Sequence, residues 1–257
     1  MKRAWLIAAL LLASCVTPDV VPQDVVRDIA PAGRLRVAMN YGNPVLVQRG
    51  ESAPRGVAPD IARELARRLG VPLDFIAYDA AGKVTADATR GAWDVAFVAR
   101  DPERAKEIQF TAPYVIIEGA YLVPESSPLK ANEDVDRPGV RISVSRRSAY
   151  DLFLSRALKS ATLVRAPSPP ASIELFVNER LDALAGVKQP LVAFAASHPG
   201  YRVLPGRFMV IEQAMAIPRG RPLAARYLND LIDELKASGF VAASLDKTGQ
   251  SEALVAP

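Results

Sequence analysis

Arg104 is the side chain of this sequence best placed to do chemistry on a small molecule. It follows Arg100-Asp101-Pro102-Glu103, directly after the apolar run Val95-Ala96-Phe97-Val98-Ala99. That run, entered through Asp94, reads as a short buried strand. Asp101 suits an N-cap and Pro102 the first helical position, so the pattern predicts a helix starting there. In open α/β sheets, ligands bind at such a place, just outside the carboxyl end of a strand. Free backbone N–H groups at a helix start favour an anion. The planar guanidinium of Arg104 can hold a carboxylate through two parallel hydrogen bonds.

Other chemistries have few residues to work with. His198 is the single histidine and lies in the turn-like Ser197-His198-Pro199-Gly200. A nucleophilic triad therefore lacks a base, and one His with one Cys cannot build a zinc site. No glycine-rich phosphate motif is present, so no cofactor or metal is expected. Glu118 and Glu212 each interrupt an apolar segment. A buried glutamate there would hold an ammonium group, act as a general acid, or be satisfied by backbone N–H groups or an arginine.

The elements that must position these residues alternate. Leu35 to Met39 reads as a strand ending in the polar turn Asn40 to Pro44. An amphipathic helix follows from Pro59, with Ile61, Leu65 and Leu69 in one stripe, and Gly70 ends it. A strand at 73–77, a weaker helix at 82–90 and the strand at Asp94 complete a βαβαβ unit, which implies a parallel sheet. Val115 to Val123 reads as a strand leaving this lobe. The pattern then repeats: strand 140–144, a helix from Ser148 to Lys159, strand 162–165, helix 168–179, strand 181–184 and helix 190–197. Arg180-Leu181-Asp182-Ala183 answers Ala92-Trp93-Asp94-Val95. Phe208 to Ile217 reads as a returning strand, followed by helices at 222–237 and 240–248. This order implies an α/β fold of two lobes joined by two hinge crossings: 33–118 with 214–257, and 119–213.

Strand, acidic and arginine-bearing helix start, then Phe110-Thr111-Ala112-Pro113-Tyr114 resembles the family 3 extracellular solute-binding proteins, the periplasmic amino-acid-binding components of ABC importers. The likeness runs over roughly residues 34 to 245. It implies a periplasmic-binding-protein-like (type II) fold whose lobes close on a ligand like a clamp. It places Arg104 on the ligand's carboxylate and Ala99 beside it. Ser148 falls in the second-lobe helix start, as ligand contact or as plain N-cap. Tyr41 falls at the first-loop aromatic, as ligand contact or as core. Three departures stand out. The aspartate expected after Asp182-Ala183 to hold the ligand's ammonium is absent, Leu184-Ala185-Gly186 following instead. Phe97, Val98 and Ala99 replace small hydroxyl residues. Arg147 stands where glycine is expected. More cation (Arg104, Arg147, Arg100) and less anion favours an acidic or doubly anionic ligand over a simple zwitterion, unless Glu118 or Glu212 restores the ammonium partner.

The start of the chain speaks to compartment. Lys2-Arg3 precedes an apolar run from Trp5 to Leu12 that is too short to span a bilayer. Leu12-Ala13-Ser14-Cys15 resembles a bacterial lipobox, with residues 1–14 as signal peptide and Cys15 the acylated first residue of a periplasmic lipoprotein. Cys15 is the only cysteine, so no internal disulfide is possible. Residues 15–32, with their prolines and alternating charges, read as a flexible tether. The formal charge is +4 over 257 residues. It is too small and too scattered for nucleic acid. The expected partners are a small carboxylated ligand, an ABC permease and the membrane through the lipid alone, for a monomer. Two alternatives share the fold: a periplasmic dehydratase-like enzyme, and a ligand sensor.

Overall fold

The computed structural model describes residues 20–257; the leader and Cys15 lie outside them. In chain order the elements are α1 (Gln23–Ile29), β1 (Leu35–Asn40), α2 (Val57–Leu69), β2 (Leu73–Tyr78), α3 (Ala81–Ala86), β3 (Val95–Ala99), β4 (Ile108–Pro124), β5 (Arg141–Ser145), α4 (Ala149–Ala157), β6 (Thr162–Ala166), α5 (Pro169–Asn178), β7 (Ala183–Val187), α6 (Lys188–Ser197), β8 (Tyr201–Val203), β9 (Met209–Pro218), α7 (Pro222–Ala237), α8 (Phe240–Lys247) and β10 (Leu254–Val255).

The strands run in the order β2-β1-β3-β9-β4-β7-β5-β6, with β8 and β10 both added to β4. β1 pairs in parallel with β2 and β3, and β5 in parallel with β6 and β7. The two parallel units are joined through β4 and β9, long antiparallel partners that carry the chain from one half to the other. Each half is covered on both faces. In the first, α2, α7 and α8 bury Ile61, Leu65, Leu228 and Leu245 against one face, while Trp93, Val84 and Ala88 pack on the other. In the second, Tyr150 and Leu154 lie on one face, and Phe176 and Leu191 on the other. β3 is buried at every position, as its unbroken apolar run requires.

The echo between halves has a physical basis. Asp94 is fully buried, and its carboxylate accepts from Arg36 N, Nε and Nη2 at 2.8–3.0 Å. Asp182 accepts from Arg141 N at 2.7 Å in the same relation to β5. Both aspartates tie the entry of an inner strand to the strand beside it, at the end away from the cleft.

Two expectations are corrected. Residues 23–29, expected within the tether, form α1, whose Val26 and Ile29 are buried and whose Asp28 accepts from Ala224 N at 2.8 Å. The stripe of one two-turn helix is too short to outweigh the flanking Pro18, Pro22 and Pro31 in sequence, yet α7 supplies a surface for it. No full helix begins at Pro102. The segment makes a single 3-10 turn at Arg104–Lys106, because β4 begins at Ile108 and turns the chain back against β9. Phe110 to Tyr114 therefore belongs to β4, with a bulge around Pro113 where a proline cannot donate to the ladder.

Candidate functional site

The carboxyl ends of β1, β3, β5 and β7 meet at one cavity between the halves. Asn40, Asn43, Val98, Ala99 and Arg104 line it from the first half, and Ser145, Ser148, Ala149, Tyr150 and Val187 from the second. Ile211 and Gln213 of β9 close the hinge side. Its interior measures ≈ 40 Å³ for the centre of a water-sized sphere, room for about three waters. The halves meet over it. Arg104 Nη2 donates to the Arg147 carbonyl at 2.9 Å, and Arg156 pairs with Asp101 at 2.8 Å.

Arg104 is 2% exposed. Its Nη1 donates to the Ala99 carbonyl at 2.8 Å, while Nε is buried with no partner. No carboxylate is hydrogen-bonded to it among the described residues. Burial pulls the guanidinium down to about 10, an effect that Asp101 opposes and Arg147 reinforces; it stays charged at neutral pH. Opposite it, the first turn of α4 begins at Ala149. Ser148 Oγ accepts from Asp151 N at 3.1 Å and Asp151 in turn accepts from Arg147 N at 2.7 Å. The N–H groups of Ala149 and Tyr150 sit in that first turn, where no intrahelical acceptor exists. Burial pushes the Tyr150 hydroxyl up to about 12, so it is a donor at neutral pH.

Of the residues singled out in sequence, Arg104, Ala99 and Ser148 line the cavity. Ser148 is also the N-cap of α4. Arg147 contributes its carbonyl, not its side chain. Its backbone φ of 56° explains why glycine would suit that position. Tyr41 is not a lining residue. It packs on the first-half core, with the Arg49 guanidinium 4.8 Å from its ring centroid. Glu118 lies outside the cavity, held at 2.7 Å by both Lys188 and Arg207, which keep its carboxyl below the usual range. Glu212 also lies outside, 46% exposed and paired with Arg100 at 3.1 Å.

Sequence reasoning missed Asn40, Asn43 and Gln213. The polar turn after β1 was the signal for the two asparagines. Gln213 is adjacent to Glu212, and a strand turns successive side chains to opposite faces. Gln213, 4% exposed, faces in, and Glu212 faces out. Among the described residues no group of three His, Cys, Asp or Glu side chains is placed to hold a metal, and no helix is long and apolar enough to cross a membrane.

Two α/β halves, joined by paired strands and closed over a cleft at their carboxyl strand ends, define a two-lobed solute-binding protein of the periplasmic-binding-protein-like fold. The family model for bacterial extracellular solute-binding proteins, family 3, matches residues 35–250, and the chain belongs to that family. No match was found among curated proteins. Solved structures with this fold include a mutant of ArgBP from T. maritima, 23% identical over 88% of this chain and 99% of that one, with a TM-score of 0.75. The solute receptor for L-cysteine of Neisseria gonorrhoeae is 22% identical over 87% and 92%, with a TM-score of 0.76. The ancestral amino acid-binding protein AncCDT-1, a precursor of cyclohexadienyl dehydratase, is 22% identical over 86% and 98%, with a TM-score of 0.72.

Proposed function

We propose that this protein captures a small carboxylated solute, an amino acid or related organic acid, and delivers it to an ABC permease. One observation carries the reading: Arg104 is a buried cation with a free Nε and, among the described residues, no hydrogen-bonded carboxylate, in a cavity whose lining contains none. A buried charge without a partner is costly, and such groups concentrate where a ligand supplies the partner. A carboxylate there would take bonds from Arg104 and from the first-turn N–H groups of α4. A ligand larger than about three waters enters only when the halves separate, with β4 and β9 as the hinge. The Neisseria gonorrhoeae relative is named as a solute receptor for L-cysteine, a carboxylate, which supports this class. The lipobox-like Leu12-Ala13-Ser14-Cys15 supports an envelope location, as a monomer held to the membrane by lipid.

Among the described residues, the cavity lining gives the dehydratase reading no carboxylic acid to serve as proton donor. Glu118 and Glu212 both lie outside the cavity in ion pairs.

A thermal-shift panel of amino acids and small organic acids, followed by calorimetry, tests the proposal. A ligand at one hundred times its Kd stabilises by about 2.7 kcal/mol, an upward shift of about 5–10 °C. A panel in which no carboxylate shifts the transition would refute it.

A further inference from the structure

The cavity also restricts what can be attached to the carboxylate, an inference that rests on the assignment of Arg104 as the carboxylate-binding group. The four carboxylates most relevant to the cleft are committed elsewhere. Asp101 accepts from Arg156 and from Glu103 N, and Asp151 from Arg147 N and Arg165. Glu118 faces Lys188 and Arg207, and Glu212 faces Arg100. The cavity presents neutral amides instead. Asn43 is 6% exposed, lines the cavity, and its Oδ1 is buried without a partner. Gln213 adds a second amide from the hinge side.

These two unmatched groups differ in kind. Arg104 Nε is a donor waiting for an acceptor, and Asn43 Oδ1 is an acceptor waiting for a donor. An α-ammonium placed against Asn43 would lose its water shell and gain no opposite charge. Burying an ion without its counter-ion is far more costly than burying a hydrogen-bonded neutral group. A hydroxyl at the same carbon satisfies Asn43 Oδ1 without bringing a charge. The ligand's single negative charge then matches the cavity's single positive one.

We infer that the cavity is a monoanion site that selects small 2-hydroxy carboxylic acids over the amino acids of the same skeleton. The test is calorimetry of the full chain with matched pairs, from L-lactate against L-alanine to L-phenyllactate against L-phenylalanine. The hydroxy acid of the best-binding pair is expected to bind at least about tenfold tighter, a floor well below the roughly 10⁴-fold by which a site built around a hydrogen-bonding group can reject a mismatched analogue. Asn43→Asp, which keeps the side chain's shape and adds a counter-ion for an ammonium, should reverse the order in favour of the amino acid. Tighter binding of the amino acid by the unaltered protein, or an unchanged order in Asn43→Asp, would overturn this inference and leave the carboxylate reading standing. No heat from any pair would overturn the carboxylate reading itself.

Discussion

Replacing Arg104 with Met separates a functional arginine from a structural one. The side chain is 2% exposed and sits near 10 against an ordinary value of 12.5. That difference corresponds to roughly 3 kcal/mol against the charged form in the unliganded protein. The unfolded chain holds more protons between those pH values. The cost is therefore present below pH 10 and fades as pH rises towards 12.5. Arg104→Met removes this cost together with two charge-assisted bonds, to Ala99 and Arg147. Such bonds are each worth roughly 2 kcal/mol, so the two effects nearly cancel. Unliganded stability should change by no more than about 1 kcal/mol, a shift within about 4 °C for a chain of this size. Ligand binding should fall by about 2–5 kcal/mol, the range for truncating one partner of a buried charge pair, or roughly thirtyfold to several thousandfold. Calorimetry with the acid giving the largest thermal shift, beside a thermal scan without ligand, reads both numbers. Unchanged affinity would refute the reasoning. So would a transition lowered by more than about 10 °C, which would mark Arg104 as part of the fold's own scaffold.

Gly82 sits where the halves meet: a Cβ there would lie 2.7 Å from the Arg146 carbonyl oxygen and 2.8 Å from Arg147 Cβ. Gly82→Ala should hold the halves apart at a cost of about 1–3 kcal/mol to closure, weakening ligand binding about fivefold or more; a Kd within twofold of wild type would show that the contact yields. Asp94→Ala removes the buried partner of Arg36, so urea unfolding should show a loss of about 3–5 kcal/mol. Affinity per folded molecule should hold within twofold; a large selective loss of affinity would place Asp94 in the binding function instead. Hydrogen bonding to Arg67, helped by Arg68, lowers Glu64 to about 2 from 4.5. Its contribution is full above 4.5 and is lost as pH falls through 2, so the stability of Glu64→Gln should fall less steeply between those values; parallel curves in thermal scans would contradict this.

Local pattern carried most of the architecture. The 3.6-residue stripe of α2, its Gly70 stop, the unbroken apolar run of β3 and the repeated Trp93-Asp94 and Leu181-Asp182 entries are short-range signals. They made the order of elements, the two halves and their two crossings legible in the chain itself. Arg104 was legible too, because its type and its place after a buried strand carry chemical meaning without reference to distant residues. Its predicted helix was not, since Asp101-Pro102 signals a helix start locally while pairing of β4 with β9 claims the chain from Ile108 onwards. Docking of α1 on α7 joins residues nearly 200 positions apart, beyond the reach of any window of sequence.

Sequence alone determined the class of fold and the cation at its cleft, because periodicity and side-chain chemistry are properties of neighbouring residues. Tertiary structure alone decided what faces that cation. The register of β9 against β3 and β4 turned Gln213 inward and Glu212 outward. Ion pairs with Lys188 and Arg207 took Glu118 out of contention. The carboxylates legible in sequence therefore lie outside the cavity, and neutral amides line it. The reason is geometric: one step along a strand reverses the side a residue faces, and only pairing with distant strands fixes which side is buried.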